Sequence, residues 1–451
     1  MEKEEEIMKL REEVQRLKSK LRRKEQSITE GVFGSSTPSS QIPVKANTPG
    51  EKKAPGQKLG HPGNGRKRIA DDAIDERVSY SVTETICPDC GNPLHTIGTQ
   101  ERIIKELEPP EVKTIALSLQ RKRCSHCGRE LKAKATGILP KNLYGNKLLG
   151  YIAHSHYVMG IPLGRLEEQL GVGSGSMLKG LHQLSGIFKE IPEQLLLLYR
   201  QSPVKHADET VWRIDGRNGY AWSYSTKELI IFMFRTSRSG KIVREALGDE
   251  ALPGVLVVDR YAGYNKSPCL LQYCYAHLHR EVEDLGKEFA KVEEVQQFVA
   301  AFAPLPAEAM HLRTMDIDDN EYYRRARLCK EQILCLAQAP AKHAGILRIQ
   351  QIFIEKEHRL FHWVYDRRIP AENNQAERDV RKVVISRKVS FGSHSLSAAK
   401  TREILMTVLW TLKKKYDSDV LSIFTQALDA YALDKEVDLF NLLFHDFYPR
   451  E

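Results

Sequence analysis

Residues 203–214 read PVKHADETVWRI, and GYAWSYS (219–225) and ELIIFMFRT (228–236) follow closely. All three runs are rich in β-branched and aromatic residues. They are separated only by DGRNG (215–219) and TK (226–227), turn chemistry that joins neighbouring antiparallel strands. KIVREALG (241–248) then has a helical pattern. After it comes GVLVVD (254–259), an apolar run closed by an acid, which reads as a buried parallel strand.

Three antiparallel strands, a crossover helix and a parallel strand, in that order, predict an α/β RNase H-like core over 203–286 and 370–410. Two acids take meaning from this frame. Asp208 sits within the first strand. Asp259 closes the apolar run, at the carboxyl end of a central strand, where open α/β sheets place their sites. Either acid alone reads as a turn former or helix cap.

A third acid lies in IPAENNQAERDVRKVV (369–384), which reads as a helix opened by Pro370. Ala376, Val380, Val383 and Val384 recur at helical spacing and form its buried stripe. Glu377 stands at the edge of that stripe, sharing a face with Asn373, Asn374 and Arg381. Three carboxylates converging on one place repel one another unless cations intervene. Two Mg²⁺ ions, with Mn²⁺ as substitute, would resolve the repulsion and activate water or a 3′-hydroxyl for in-line attack on a phosphodiester. Arg378, Arg381 and Lys382 then read as phosphate contacts. A plain Glu377–Arg381 pair on a solvated helix is the simpler account of that acid alone.

The gap from Asp259 to Glu377 is too long for a minimal core, and 287–369 is helical in texture. It is expected to be an α-helical insertion. Within it Trp363 reads as a buried aromatic rather than a platform for a flipped base.

The remaining segments point to a polyanion partner. The 451-residue chain has a net charge of +9, unevenly placed: 52–68 holds six basic residues and no acid, and 121–134 six against one. Two CxxC pairs, Cys87/Cys90 and Cys124/Cys127, each follow an extended run and precede a glycine. With no export signal at the N-terminus, they predict a structural Zn²⁺ ribbon over 71–140, with His126 a bystander. Ile7, Leu10, Val14, Leu17 and Leu21 keep heptad spacing, so 1–30 reads as a short coiled-coil helix favouring a homodimer or higher oligomer. The Ser-, Pro-, Gly- and Lys-rich 31–70 reads as a disordered basic linker, whose Arg66, Lys67 and Arg68 could enter a DNA groove. Residues 141–202 are helical with glycine turns. They are expected to be a helical hairpin or helix-turn-helix that directs Ser176, Lys179 and His182 towards DNA. A C-terminal helical segment is placed at 411–451. No run is long and apolar enough to span a membrane, so a cytoplasmic, nucleoid-associated protein is expected.

Together HADETVWRI, VLVVDRYAGYN, CYAHLHRE and NNQAERDVRKVVISRK resemble the DDE transposases of the insertion sequence 66 family, over nearly the whole chain. The resemblance implies Asp208, Asp259 and Glu377 as the catalytic triad. It places the family's C-x-A-H motif on Cys274, Ala276 and His277, with Arg280 following. It further implies double-stranded DNA as partner, both terminal inverted repeats and target, and accessory proteins from the same element. VSFGSHSLSAAK (389–400) departs from the aromatic-Ala-Gly-Ser run common in that family. Two other readings stay open: a zinc-ribbon DNA-binding protein with an inert core, and a nuclease of the same fold acting by hydrolysis alone.

Overall fold

The computed structural model describes residues 142–447 except 418. It also describes 72, 74, 89, 90, 92, 93, 110–123, 125–127, 129–133 and 135–140. The expected coiled coil, the basic linker with Arg66, Lys67 and Arg68, and the ligands Cys87 and Cys124 lie outside the described residues. Those from Val112 onward make one compact unit, and those between 72 and 111 fall in another.

Strands β1 (Arg121–Arg123) and β2 (Glu130–Lys132) pair antiparallel across the second cysteine knuckle, with Arg123 opposite Glu130. The expected extended run leading into this knuckle is a regular strand only over its last three residues; 110–120 has no regular structure.

Among the described residues a five-stranded sheet forms the centre. It is built from β3 (Val204–Ile214), β4 (Arg217–Ser225), β5 (Ile230–Arg235), β6 (Val255–Val258) and β7 (Leu270–Tyr273), in the order β5-β4-β3-β6-β7. The first three are antiparallel neighbours, and β6 and β7 run parallel to β3. Ile214 pairs with Arg217, which leaves Asp215 and Gly216 as a two-residue loop. Their φ values of 51° and 69° suit the primed turn that follows strand twist, and Asp-Gly tolerates it. The crossover helix α5 (Gly240–Leu247) buries Ile242, Val243, Ala246 and Leu247. Trp212, Trp222, Phe232, Leu256 and Val257 are buried at the sheet centre; each fully buried apolar side chain of this kind contributes about 1.5–3 kcal/mol.

Before the sheet come α1 (Asn146–Tyr157), α2 (Leu163–Leu170), α3 (Ser174–Ile187) and α4 (Ile191–Gln201). Gly171, at φ 65°, ends α2 in the left-handed conformation that helix C-termini favour. The α2–α3 pair has the expected hairpin form. Ser176 and Lys179 are exposed on α3, but His182 turns inward, its Nδ1 2.6 Å from Thr401 Oγ1. His182 therefore faces a neighbouring helix, not an outer surface.

After β7 the chain is helical: α6 (Tyr275–Glu288), α7 (Glu293–Phe302), α8 (Pro304–Leu312), α9 (Asp319–Gln338), α10 (Ala344–Glu355) and α11 (His362–Tyr365). Trp363 is buried, donates from Nε1 to Leu360 O at 3.0 Å and meets the Tyr275 ring edge-on at 5.9 Å. It is a packing residue. Then follow α12 (Asn374–Ser390), α13 (Leu396–Tyr416), α14 (Val420–Leu433) and α15 (Leu439–Phe444). The expected boundary at 410/411 falls inside α13, which runs unbroken through it.

Helix α13 closes one border of the sheet. Strand β5 is an edge, with outward amides at Ile230, Phe232 and Phe234. They donate to Thr411 Oγ1 (3.2 Å), Thr407 Oγ1 (3.0 Å) and Glu403 Oε2 (3.0 Å). Four helical residues advance about 6.0 Å and two strand residues about 6.6 Å, so side chains spaced by four stay in step with alternate amides over this length. Among the described residues no helix is long and apolar enough to cross a membrane.

Candidate functional site

His206 pairs with Val257 on the neighbouring parallel strand. Asp208 lies two residues further along β3 and Asp259 just past the carboxyl end of β6, near enough for the charge of Asp259 to act on Asp208. Backbone amides orient both: Glu209 N–H donates to Asp208 Oδ1 and Tyr261 N–H to Asp259 Oδ1, each at 2.9 Å. Glu377 enters from the first turn of α12. Burial pushes the Asp208 carboxyl well above the usual range. The negative charges of Glu209, Asp259 and Glu377 push it further, against one backbone hydrogen bond. Negative charge acting on a buried carboxylate suits divalent cations with hard-ligand preferences, but among the described residues these three acids do not bring their ligand atoms within 4.8 Å of one another.

The sequence reading overlooked Glu209. It lies next to Asp208 and points the other way, because strand side chains alternate. Arg238 clamps it, donating from Nε at 2.9 Å and from a terminal nitrogen at 2.6 Å, and Tyr264 Oη donates at 2.6 Å. Burial and Asp259 raise its carboxyl. HADET holds both acids, but nothing in the sequence says that Arg238 returns to cover the second.

Helix α12 does not start at Pro370. It starts at Asn374, with Asn373 as its N-cap, because Ala371 and Asn373 are held by other elements. Ala371 O accepts the Tyr275 amide at 2.8 Å. Asn373 is buried; its Oδ1 lies 2.9 Å from His206 Nδ1 and its Nδ2 donates to Ala207 O at 2.8 Å. Its backbone N–H donates to Cys274 Sγ at 3.1 Å. One asparagine thus ties the helix carrying Glu377 to the strand carrying Asp208 and to the β7–α6 junction. The expected stripe of Ala376, Val380, Val383 and Val384 is buried.

Cys274, His277 and Glu377 each offer a ligand atom, all within 4.8 Å of one another. Burial pushes the Cys274 thiol up to about 12.

The expected DNA contacts separate into two groups. Asn374, Arg378, Arg381, Arg280 and Lys179 are exposed. Lys382 instead turns inward, bonding Asp379 Oδ1 and lying 4.7 Å from the Trp410 ring centre. Lys414 Nζ meets the other Asp379 oxygen at 2.7 Å. Burial raises this carboxyl, but the two lysines outweigh it and hold it below its ordinary value. Its partner Lys414 comes from a distant helix, so the local sequence gives no sign of the pair.

Of the second set of ligands, Cys90 and Cys127 are described and both thiols are exposed. Asn92 Nδ2 donates to Cys90 Sγ at 3.7 Å, the outward support a metal thiolate receives.

Two family profiles match this chain. One, described as Transposase IS66 family, spans residues 141–401. That is more than half of the chain. The chain belongs to the IS66 transposase family. The second, the zinc-finger binding domain of transposase IS66, spans 84–128 and so contains all four knuckle cysteines. This IS66-family transposase thus combines a mixed α/β unit built around a central sheet with a zinc-finger domain. It is also similar to an uncharacterised protein, y4qI, of Sinorhizobium fredii, at 23% identity over 385 residues, covering 75% of this chain and 69% of that one.

Proposed function

We propose that this transposase cleaves insertion-sequence ends and joins them to target DNA by in-line phosphoryl transfer, on an RNase H-like core with Asp208, Asp259 and Glu377 as its catalytic carboxylates. The observation that carries the reading is the burial of Asp208 together with the negative charge of Asp259 and Glu377, which reaches it from separate elements of the fold and pushes its carboxyl up. The strand order β5-β4-β3-β6-β7, with three antiparallel and two parallel members, supports the core assignment.

The three carboxylates would hold two Mg²⁺ ions, with Mn²⁺ able to substitute. Bound there, the ions would supply charge neutralisation at the scissile phosphate and an activated oxygen nucleophile. The chain's own part is placement. Backbone amides aim Asp208 and Asp259. Asn373 fixes the start of α12 and with it Glu377. Arg378, Arg381 and Asn374 on the exposed face of that helix, with Arg280 on α6, meet the DNA backbone. Lys179 on α3 and the basic segment with Arg66, Lys67 and Arg68 extend the DNA footprint. Zinc at Cys87, Cys90, Cys124 and Cys127 shapes the N-terminal domain that grips the inverted repeats. Bringing two ends together calls for at least a dimer, aided by accessory proteins of the element.

The test is a gel assay of 3′-end joining with the full chain. Asp208→Ala, Asp259→Ala and Glu377→Gln should each abolish joining while end binding survives. Joining retained in any of them would remove that residue from the machinery. Nicks without joined strands from the parent protein would leave a hydrolytic nuclease. End binding indifferent to Mg²⁺, with neither product, would leave an inert DNA-binding protein.

A further inference from the structure

Cys274 and His277 have no part in the reading above, yet they lie against Glu377. Cys274 caps α6, and His277 is three residues on, so both side chains lie on one face of the first turn. The sulfur accepts the Asn373 amide at 3.1 Å. An N–H aimed at the sulfur is the outward support that a metal-bound thiolate receives. His277 supplies an independent observation. Its Nδ1 is buried and, among the described residues, finds no hydrogen-bond partner. A buried ring nitrogen without a partner is costly, and a ligand would relieve it. Packing alone explains a buried thiol; it leaves this nitrogen unexplained.

We propose that Cys274, His277 and Glu377 form a binding site for a thiophilic divalent cation, zinc in the cell, and that filling it draws Glu377 away from Asp208 and Asp259. The ligand atoms lie within 4.8 Å of one another. In a tetrahedral zinc site the corresponding edges are roughly 3.5 Å, so a rotamer-scale movement of about 1 Å closes the set. One sulfur, one nitrogen and one oxygen suit zinc and reject magnesium, which demands oxygen ligands. The fourth position stays open to water. The site lies apart in sequence from the zinc-finger match at 84–128. Glu377 is thereby shared between two cations of different chemistry, and zinc acts as a brake on strand joining. The binding half stands by itself; the braking half rests on the proposed function.

The experiment titrates the zinc-loaded full chain with Cd²⁺ and follows the sulfur-to-metal charge-transfer band. Exchange at the knuckle contributes equally to every variant. The parent should show one thiolate's absorbance more per chain than Cys274→Ser. His277→Gln and Glu377→Gln should shift the half-saturation point by about tenfold or more. Superimposable titrations of the parent and His277→Gln would overturn the site, whether or not Cys274→Ser folds. The second readout is zinc inhibition of joining, each variant measured against its own rate without added zinc. The half-inhibitory zinc concentration should rise with Mg²⁺ and rise about tenfold in His277→Gln. Inhibition indifferent to Mg²⁺ would overturn the competition while the Cd²⁺ band still decides the site. A parent protein that joins no ends under any condition would refute the proposed function instead.

Discussion

Asn373 Oδ1 and His206 Nδ1 meet at 2.9 Å across the seam between α12 and β3, two residues from Asp208 on one side and four from Glu377 on the other. The same side chain donates to Ala207 O. Asn373→Ala removes both contacts and leaves buried polar groups behind. The expected cost is about 2–4 kcal/mol, from two groups at about 1–2 kcal/mol each. Joining should fall more than end binding, because Glu377 loses its anchor. Denaturant melts and a joining assay on the same preparation check this.

Asp379→Ala should cost more than an ordinary core truncation. It leaves Lys414 and Lys382 nearly buried without their shared anion, at 15% and 17% side-chain exposure. Breaking a buried pair by removing one partner costs about 3–5 kcal/mol. Asp379→Asn, which keeps the shape and hydrogen-bonding capacity, should cost less. Urea unfolding of the two variants checks the order.

Divalent ions should stabilise the fold through the acids. With the Asp208 carboxyl raised in the folded chain, its contribution is present below its ordinary value of 3.8 and is lost as pH rises through the folded value. At pH 7 without divalent metal, Asp208→Asn should therefore raise the melting temperature. Mg²⁺ at a hundredfold excess over its Kd should add about 2.7 kcal/mol to the parent. It should add much less to Asp208→Asn. A thermal shift series with and without Mg²⁺ reads both effects.

Acid should act in the opposite sense through histidine and destabilise the protein. Burial lowers His206 to about 4 from 6.5, and His156 likewise. A lowered histidine contributes stability that is present above 6.5 and lost as pH falls towards 4. Each such shift corresponds to roughly 3 kcal/mol. Melting temperature between pH 7 and 4 should fall less steeply in His206→Gln than in the parent.

Chelation should act on the N-terminal domain first. Cys90→Ser should cost about one zinc per chain and weaken end binding, since structural zinc supplies folding energy where it binds. Metal release with a thiol-blocking reagent and a colorimetric zinc dye measures the first, and a gel shift the second.

Much of the sheet was legible in the sequence because its signals are local. Alternation and turn residues in HADETVWRI, DGRNG and GYAWSYS specify strands and a two-residue loop without outside help. The apolar stripe of α12 was equally readable. What stayed hidden depends on contacts between distant segments. The start of α12 moved from Pro370 to Asn374 because β3 and the β7–α6 junction claim Asn373 and Ala371. Lys382 looked like a phosphate contact until Asp379 acquired Lys414 from α13. Glu209 gave no signal at all, since Arg238 and Tyr264 reach it from either side of the crossover helix only in the folded chain. His182 faces Thr401, a partner more than two hundred residues away. Periodicity reports which face is buried; it does not report which polar group waits there.

The three side chains that α13 lends to β5 have a further consequence. An incoming strand from another copy would find the donors on this border already engaged, so the sheet cannot grow there by β-augmentation. A version of the protein cut before Glu403 would lose all three at once. It would bare IIFMFR, a flat apolar ribbon of the kind that seeds fibrils, and such truncations should accumulate as insoluble aggregates.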